Sequence, residues 1–230
     1  MRNFGLAAVL AASALVWVFP TACAPSPNGP EVDAPKVQAV IERSKKVRTT
    51  YAVYQWQRIT LEGAPVREEW AAEFNSGNLH RVETVPGRAV ANCETMTGSY
   101  LSLARQTVAT GPRYADGACG IATWRPLVGQ TWLGVVQTPF GKADRVRLVD
   151  SDYIRTYDIN EDGVILRAVY RKNAPGEPLI LIQVTVALSS SLPLGQLFDE
   201  ASLQSSFVPE KYKEPPKLPE GALQDADTHS

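Results

Sequence analysis

The stretch from Asp150 to Leu188 constrains the fold more than any other part of the chain. It holds three runs rich in β-branched and aromatic residues: 150–160, 164–171 and 179–188. Glu161-Asp162-Gly163 separates the first two, and Gly163 accepts a positive φ without a Cβ clash, which suits a tight hairpin. Ala174-Pro-Gly-Glu-Pro178 separates the second and third, and suits a longer hairpin loop. The pattern predicts a three-stranded antiparallel meander. The even-numbered face of its last strand, Ile180, Ile182, Val184, Val186 and Leu188, is expected to face the interior.

The same period-two chemistry extends upstream. Residues 50–60 carry apolar groups on both sides, as in a strand covered on both faces. Val66 to Phe74 alternates cleanly: Val66, Trp70, Ala72 and Phe74 share one side with Glu68, and Arg67, Glu69 and Glu73 point to the other. Further strands are predicted over 79–85, 88–95, 99–108, 131–138 and 142–149, with turn formers between them. The total is about nine or ten strands joined by hairpin-length connections, so the sheet should be antiparallel. Before them, Val37, Val40, Ile41, Ser44 and Val47 recur at spacings of three and four. That predicts a helix near 33–46, with Asp33 as N-cap and Pro35 in its first turn, lying across the sheet. Arg43, Lys45, Lys46 and Arg48 fit the solvated end of this helix, where cations suit the dipole; contact with anionic headgroups is the alternative.

The termini set the compartment. Met1-Arg2-Asn3, an apolar run from Phe4 to Phe19, and small residues around Cys23 form a secretory signal over 1–22. The run is shorter than the roughly 20 residues of a spanning helix. Cys23 stands where a bacterial lipoprotein signal places its lipidated cysteine, although Pro20 replaces the usual Leu-like residue; cleavage after Ala22 or Ala24 is the alternative. Ala24 at the following position fits sorting to the outer membrane. Residues 23–32, with Pro25, Pro27, Gly29 and Pro30, form a tether, and 33–208 form the domain. Residues 209–230 hold four prolines and many charges, which predicts a disordered tail. Of the three cysteines, lipidation of Cys23 leaves Cys93 and Cys119 as a pair. A Cys93–Cys119 disulfide would pin the irregular excursion over 110–127 and contribute about 3 kcal/mol; two buried free thiols are the alternative.

Catalytic signatures are not found. His80 reads as a surface strand residue, and no Gly-x-Ser-x-Gly accompanies it. Asp150-Ser-Asp152 and Asn160-Glu-Asp-Gly163 lack the spaced ligand set of a calcium loop, and turn chemistry accounts for them. No metal or cofactor is called for. A net charge of −1, with scattered Lys and Arg, argues against a nucleic-acid partner. What the chain offers is large side chains at strand positions: Tyr54, Trp56, Trp70, Phe74, Tyr100, Leu103, Trp132, Tyr153 and Tyr170. They fill a core or line a cavity.

Several of these elements carry a resemblance. The helix at 33–46, the strand Val66-Arg-Glu-Glu-Trp70-x-x-x-Phe74, Leu79-His-Arg-Val-Glu83, Tyr157-Asp-Ile-Asn-Glu-Asp-Gly163-Val-Ile-Leu-Arg167, the long strand 179–188 and Leu192-Pro-Leu194-x-x-x-Phe198 form one pattern. It resembles the LolA/LolB-like superfamily of bacterial lipoprotein carriers and receptors, with the related outer-membrane lipoprotein-sorting and periplasmic lipid-binding proteins. The resemblance spans most of 33–200, and the Cys93–Cys119 excursion departs from it. It implies a mainly β (α+β) fold, a strongly curved antiparallel sheet forming an incomplete barrel closed by the N-terminal helix. Tyr54, Trp56, Trp70, Phe74, Tyr100, Leu103, Ile182 and Val184 would then line a hydrophobic cavity for lipid or lipoprotein acyl chains. With Cys23 lipidated, the expectation is a non-catalytic lipoprotein on the periplasmic face of the outer membrane, or a soluble periplasmic protein without that anchor. The alternatives are an envelope assembly lipoprotein with a protein partner and a hydrolase using a spatially paired carboxylate dyad.

Overall fold

Alternating side chains become eleven strands in the computed structural model, which describes residues 34–224. The expected export signal, Cys23, the expected tether, Asp33 and His229 lie outside the described residues. The strands are β1 (Tyr51–Ile59), β2 (Arg67–Ser76), β3 (Leu79–Thr84), β4 (Gly87–Asn92), β5 (Thr97–Ser102), β6 (Thr107–Thr110), β7 (Gly129–Thr138), β8 (Gly141–Val149), β9 (Tyr153–Asn160), β10 (Ile165–Lys172) and β11 (Leu179–Ser189). Among the described residues two α-helices accompany them, α1 (Ala34–Lys45) and α2 (Pro112–Ala118). The sheet order is β6-β5-β4-β3-β2-β1-β11-β10-β9-β8-β7, so two meanders are joined by antiparallel pairing of β1 with β11. The opening and closing strands of the amphipathic pattern therefore meet at the sheet centre.

This order corrects the expected barrel. β6 and β7 are the two edges, and the sheet neither closes nor curls strongly. Closure needs strand tilt and a cumulative stagger of register. Here tight hairpins hold β3 against β4 and β4 against β5 with no register shift. Nor does α1 close a mouth: it packs on β7 and β8 near one edge. Its buried residues are Val37, Val40, Ile41 and Ser44, the stripe expected from spacing, and its apolar members join Val146, Leu148, Tyr157 and Ile159. The Arg43 guanidinium donates to Asp144 at 2.7 Å and the Trp132 indole donates to the same carboxylate at 3.0 Å. Burial pulls the Asp144 carboxyl upward, but these two donors together with the Arg43 and Lys36 charges hold it below its ordinary value.

Gly163 has a second role beside its turn. Its φ is +91°, and a Cβ there would collide with the Arg43 carbonyl. The β9–β10 hairpin can thus abut the end of α1 only with glycine at this position. The single strand expected over 99–108 is instead β5 and β6, separated by a turn in which Gln106 takes φ +52°.

Register sorts the side chains onto two faces. The helix face carries Gln55 and Glu73 beneath α2 and the following loop. The opposite face carries Tyr54, Phe74 and Ala72 beneath Leu197, Val208 and Tyr212. Segment 190–224 provides that second cover. The tail expected to be disordered does not behave so up to Gln224: Tyr212 stacks on Tyr54 with centroids 3.9 Å apart, and Leu218 and Leu223 pack with Trp56. Arg58 also donates to the Leu223 carbonyl at 3.3 Å. Leu223→Asp should therefore cost about 2 kcal/mol, the scale of one leucine burial. Urea unfolding checks the midpoint, and hydrogen exchange should rise over 215–224 while 34–45 stays protected. An unchanged midpoint would show that this cover contributes nothing.

Candidate functional site

Most of the expected cavity residues lie under the C-terminal cover. Tyr54, Phe74 and Trp70 belong to the cluster with Leu197 and Val208. Trp56, Ile182 and Val184 join Leu218 and Leu223. Leu103 packs with Leu203. Tyr100 is separate and stacks on Tyr114 of α2 at 5.8 Å. On the covered face these side chains pack on protein, because residues 190–224 occupy the space above them.

The Cys93–Cys119 disulfide is present, with Cα atoms 5.6 Å apart. It ties the start of the β4–β5 turn to the end of α2. The excursion it pins is bonded to α1: Lys45 donates to Asp116 at 2.7 Å, and Asp116 also accepts from the amides of Thr123 at 2.9 Å and Trp124 at 3.0 Å. Under this roof lies a cavity of about 160 Å³, bordered by Gln55, Glu73, Thr84, Tyr157, Tyr170 and Gln183. The Tyr157 and Tyr170 hydroxyls share a hydrogen bond at 2.9 Å. Burial raises both phenols above their ordinary values. His80, expected at the surface, is only 3 % exposed and lies 3.5 Å from Glu73. Alternation reveals two faces in a sequence but not which of them receives a roof, so these polar residues gave no signal.

A larger space opens at the end of the sheet where the β1–β2, β8–β9 and β10–β11 connections meet. Its volume is about 720 Å³. Leu61, Tyr153, Pro178, Leu179 and Ile180 supply apolar walls, with Glu62, Asp152 and Lys172 at the polar positions. Asp150 organises the rim. Its carboxylate accepts from the amides of Asp152 and Tyr153, both at 2.9 Å, and its carbonyl accepts from Asn173 Nδ2 at 2.8 Å. The buried Arg155 faces the same carboxylate at 3.0 Å. This is the turn chemistry expected of Asp150-Ser-Asp152. The Thr60 amide donates to the Ile180 carbonyl at 2.8 Å, which fixes the other wall. Large exposed apolar side chains gather on connections at this end: Leu61, Val66, Val85, Trp124 and, at 72 % exposure, Val128. The Arg125 guanidinium lies 4.3 Å from the Trp124 ring and 5.2 Å from the Tyr153 ring and pairs with Asp152, which joins the Trp124 loop to the groove.

Among the described residues no group of three His, Cys, Asp or Glu side chains is placed to hold a metal, and no helix is long and apolar enough to cross a membrane. No protein-family model and no curated protein matches the chain. Its similarity to solved LolA/LolB-superfamily and outer-membrane lipoprotein-sorting folds is weak and partial. A conserved protein from Thermus thermophilus is 14 % identical, with TM-score 0.46, over 77 % of this chain and 97 % of that one. A LolA superfamily protein from Nitrosomonas europaea is 9 % identical, with TM-score 0.39, over 73 % of this chain and 99 % of that one. A domain assigned to an outer membrane lipoprotein-sorting protein from Vibrio parahaemolyticus is 8 % identical, with TM-score 0.34, over 72 % of this chain and 93 % of that one.

Proposed function

We propose that the protein is a non-catalytic cell-envelope protein that binds an acyl chain, of a lipid or a lipoprotein, in the groove at the loop end of the sheet. The observation that carries this reading is the 720 Å³ space walled by Leu61, Tyr153, Pro178, Leu179 and Ile180, with exposed Trp124 and Val128 on neighbouring connections. Pockets of about 300–1,000 Å³ take small ligands. Apolar patches of this kind on a protein surface mark contact with lipid or protein. The export signal and Cys23 support an envelope location, with Cys23 as the lipid-attachment residue and 23–32 as the tether. The groove, not the aromatic face expected from the sequence, is the proposed acyl site, since the 190–224 segment covers that face.

Each buried methylene contributes about 0.8 kcal/mol, so roughly ten give about 8 kcal/mol, the equivalent of a micromolar Kd, and ordering costs make the expected Kd weaker than that. The test is displacement of a fluorescent fatty acid from the full chain by palmitate, with native mass spectrometry of the protein purified from cells. Leu61→Asp and Leu179→Asp should each weaken binding about tenfold or more; the unfolding midpoint should change little for Leu61, which is exposed, and fall for Leu179, which also packs against the Trp56 cluster. Absence of saturable binding by the unaltered chain, together with no co-purifying lipid, would remove the reading.

A further inference from the structure

We propose that the cavity beneath α2 and its following loop is a binding site for a primary ammonium group, received by Glu73. This goes beyond the acyl groove and does not rest on it. The cavity holds about 160 Å³, the liquid volume of roughly five waters. That is room for an ammonium head and a short alkyl stem.

The charge accounting points to the ligand class. The Glu73 side chain is 15 % exposed, and its one ion-pair contact among the described residues is His80 Nε2 at 3.5 Å. Among those residues no side-chain hydrogen bond reaches its carboxylate, and His80 Nε2 has no hydrogen-bond partner of its own. Three other enclosed carboxylates each hold a cation at hydrogen-bond distance. Asp116 has Lys45 and two backbone amides, Asp158 has the Arg145 fork at 2.7 and 2.9 Å, and Glu83 has Arg81 and the Phe207 amide. A carboxylate partly withdrawn from water with so few partners is costly, and a cationic donor entering the cavity lowers that cost.

An ammonium has three donors and no acceptor. Beside Glu73 the lining supplies the Tyr157 and Tyr170 hydroxyls and Gln183, whose amide nitrogen is turned toward Gln55 Oε1. Ala71, Ala118, Ala122, Ile165 and Ala168 give the remaining wall an apolar character suited to a methylene stem. The charged groups near this space are Glu73, His80 and, behind the tyrosines, the Arg155–Asp150 pair, which neutralises itself at 3.0 Å. Anions are disfavoured by Glu73. A divalent metal is not matched, since three ligands do not come together among the described residues.

The experiment is an NMR and calorimetric titration of the full chain with n-butylammonium chloride, against n-butanol as the uncharged isostere. Saturable binding of butylammonium alone is expected, with shifts at Gln55, Tyr170 and Gln183. Glu73→Gln should weaken it about tenfold or more, and Glu161→Gln, an exposed acid in the β9–β10 turn, should leave it unchanged. Equal binding to the Glu73→Gln protein, shifts that map elsewhere, or only a non-saturating response would overturn the site. Should Glu73→Gln fail to fold, the shift map of the unaltered chain decides alone. Vesicles of phosphatidylethanolamine, against phosphatidylcholine, separate the sources: competition by the first assigns a lipid headgroup, and its absence assigns a soluble amine. Leu179→Asp should leave butylammonium binding intact, so failure of the groove and failure of this site are told apart.

Discussion

Arg81→Met is expected to lower the unfolding free energy by about 3–5 kcal/mol, the cost of removing one partner from a buried ion pair. Arg81 and Glu83 sit two residues apart on β3, on the face covered by the C-terminal segment, and both side chains are 0 % exposed. Arg81 Nε donates to Glu83 Oε1 at 2.7 Å. Its other nitrogens donate to the Leu197 carbonyl at 2.8 Å, to Ser202 Oγ at 2.8 Å and to the Ser205 carbonyl at 2.7 Å. Glu83 in turn accepts from the Phe207 amide at 3.0 Å, and the Phe207 ring lies 4.8 Å from the guanidinium. One planar group therefore fastens segment 197–207 to the sheet. Methionine fills the volume but leaves the buried Glu83 with Arg88 at 3.5 Å as its nearest cation, and it removes the guanidinium donor from Leu197, Ser202 and Ser205. Arg81→Lys should fall between, since a point charge cannot serve a fork of acceptors. The double variant Arg81→Met/Glu83→Leu should cost less than the sum of the single changes, because the buried Glu83 carboxylate then goes together with its main cation. Urea unfolding of these proteins and of Glu83→Leu alone measures this. A cost below about 1 kcal/mol for Arg81→Met would mean that the pair does not hold the cover in place.

The Arg81 clamp marks where sequence reasoning stops. Val37, Val40, Ile41 and Ser44 were legible as a buried stripe because a helix repeats locally, and all four are buried. The Asp162-Gly163 hairpin was legible because positive φ selects glycine. The break between β5 and β6 was not, since Leu103-Ala-Arg-Gln106 contains neither Gly nor Pro, and Gln106 bears the positive φ. Pro209, Pro215, Pro216 and Pro219 signal disorder by composition. Order in that segment comes instead from three isolated anchors, Tyr212, Leu218 and Leu223, each meeting Tyr54 or Trp56 far away in the chain. Barrel closure is similarly non-local, because it depends on stagger accumulated over every strand pair. The aromatic alternation of β1 and β2 identified a face to be buried. Whether protein or ligand covers that face is decided by residues 190–224, which carry little periodic pattern. For the same reason alternation puts His80 at the surface, although it is 3 % exposed and lies 3.5 Å from Glu73.

Removing the disulfide is the other large expected effect. Cys93→Ser/Cys119→Ser should cost about 3–4 kcal/mol, the chain-entropy value for a sequence separation of 26 residues. For a domain of this size that corresponds to a fall in Tm of about 10 °C. The loss should be global in stability but local in structure, for identifiable reasons. The excursion keeps its Lys45–Asp116 pair and the Asp116 bonds to the Thr123 and Trp124 amides. Ile121 stays buried against α1, and its amide donates to Ser44 Oγ at 3.2 Å. Gly120, at φ +77°, brings the loop against the Ser44 carbonyl where a Cβ would collide. These contacts hold 120–124 from the α1 side, whereas α2 shares only Asp116 with that side and otherwise rests on Ala91 through Ala115 and Ala118, beside the disulfide. Without the covalent link, α2 should therefore open ahead of the rest. Hydrogen exchange is expected to rise over 112–119, with β1, β2 and β11 protected as before. Calorimetry of the variant, and of the unaltered chain under reductant, should agree within error, because both delete the same constraint on the unfolded chain. A Tm fall below about 3 °C would show that the reduced excursion is ordered by its contacts with α1 alone, and that the cavity it roofs needs no covalent pin.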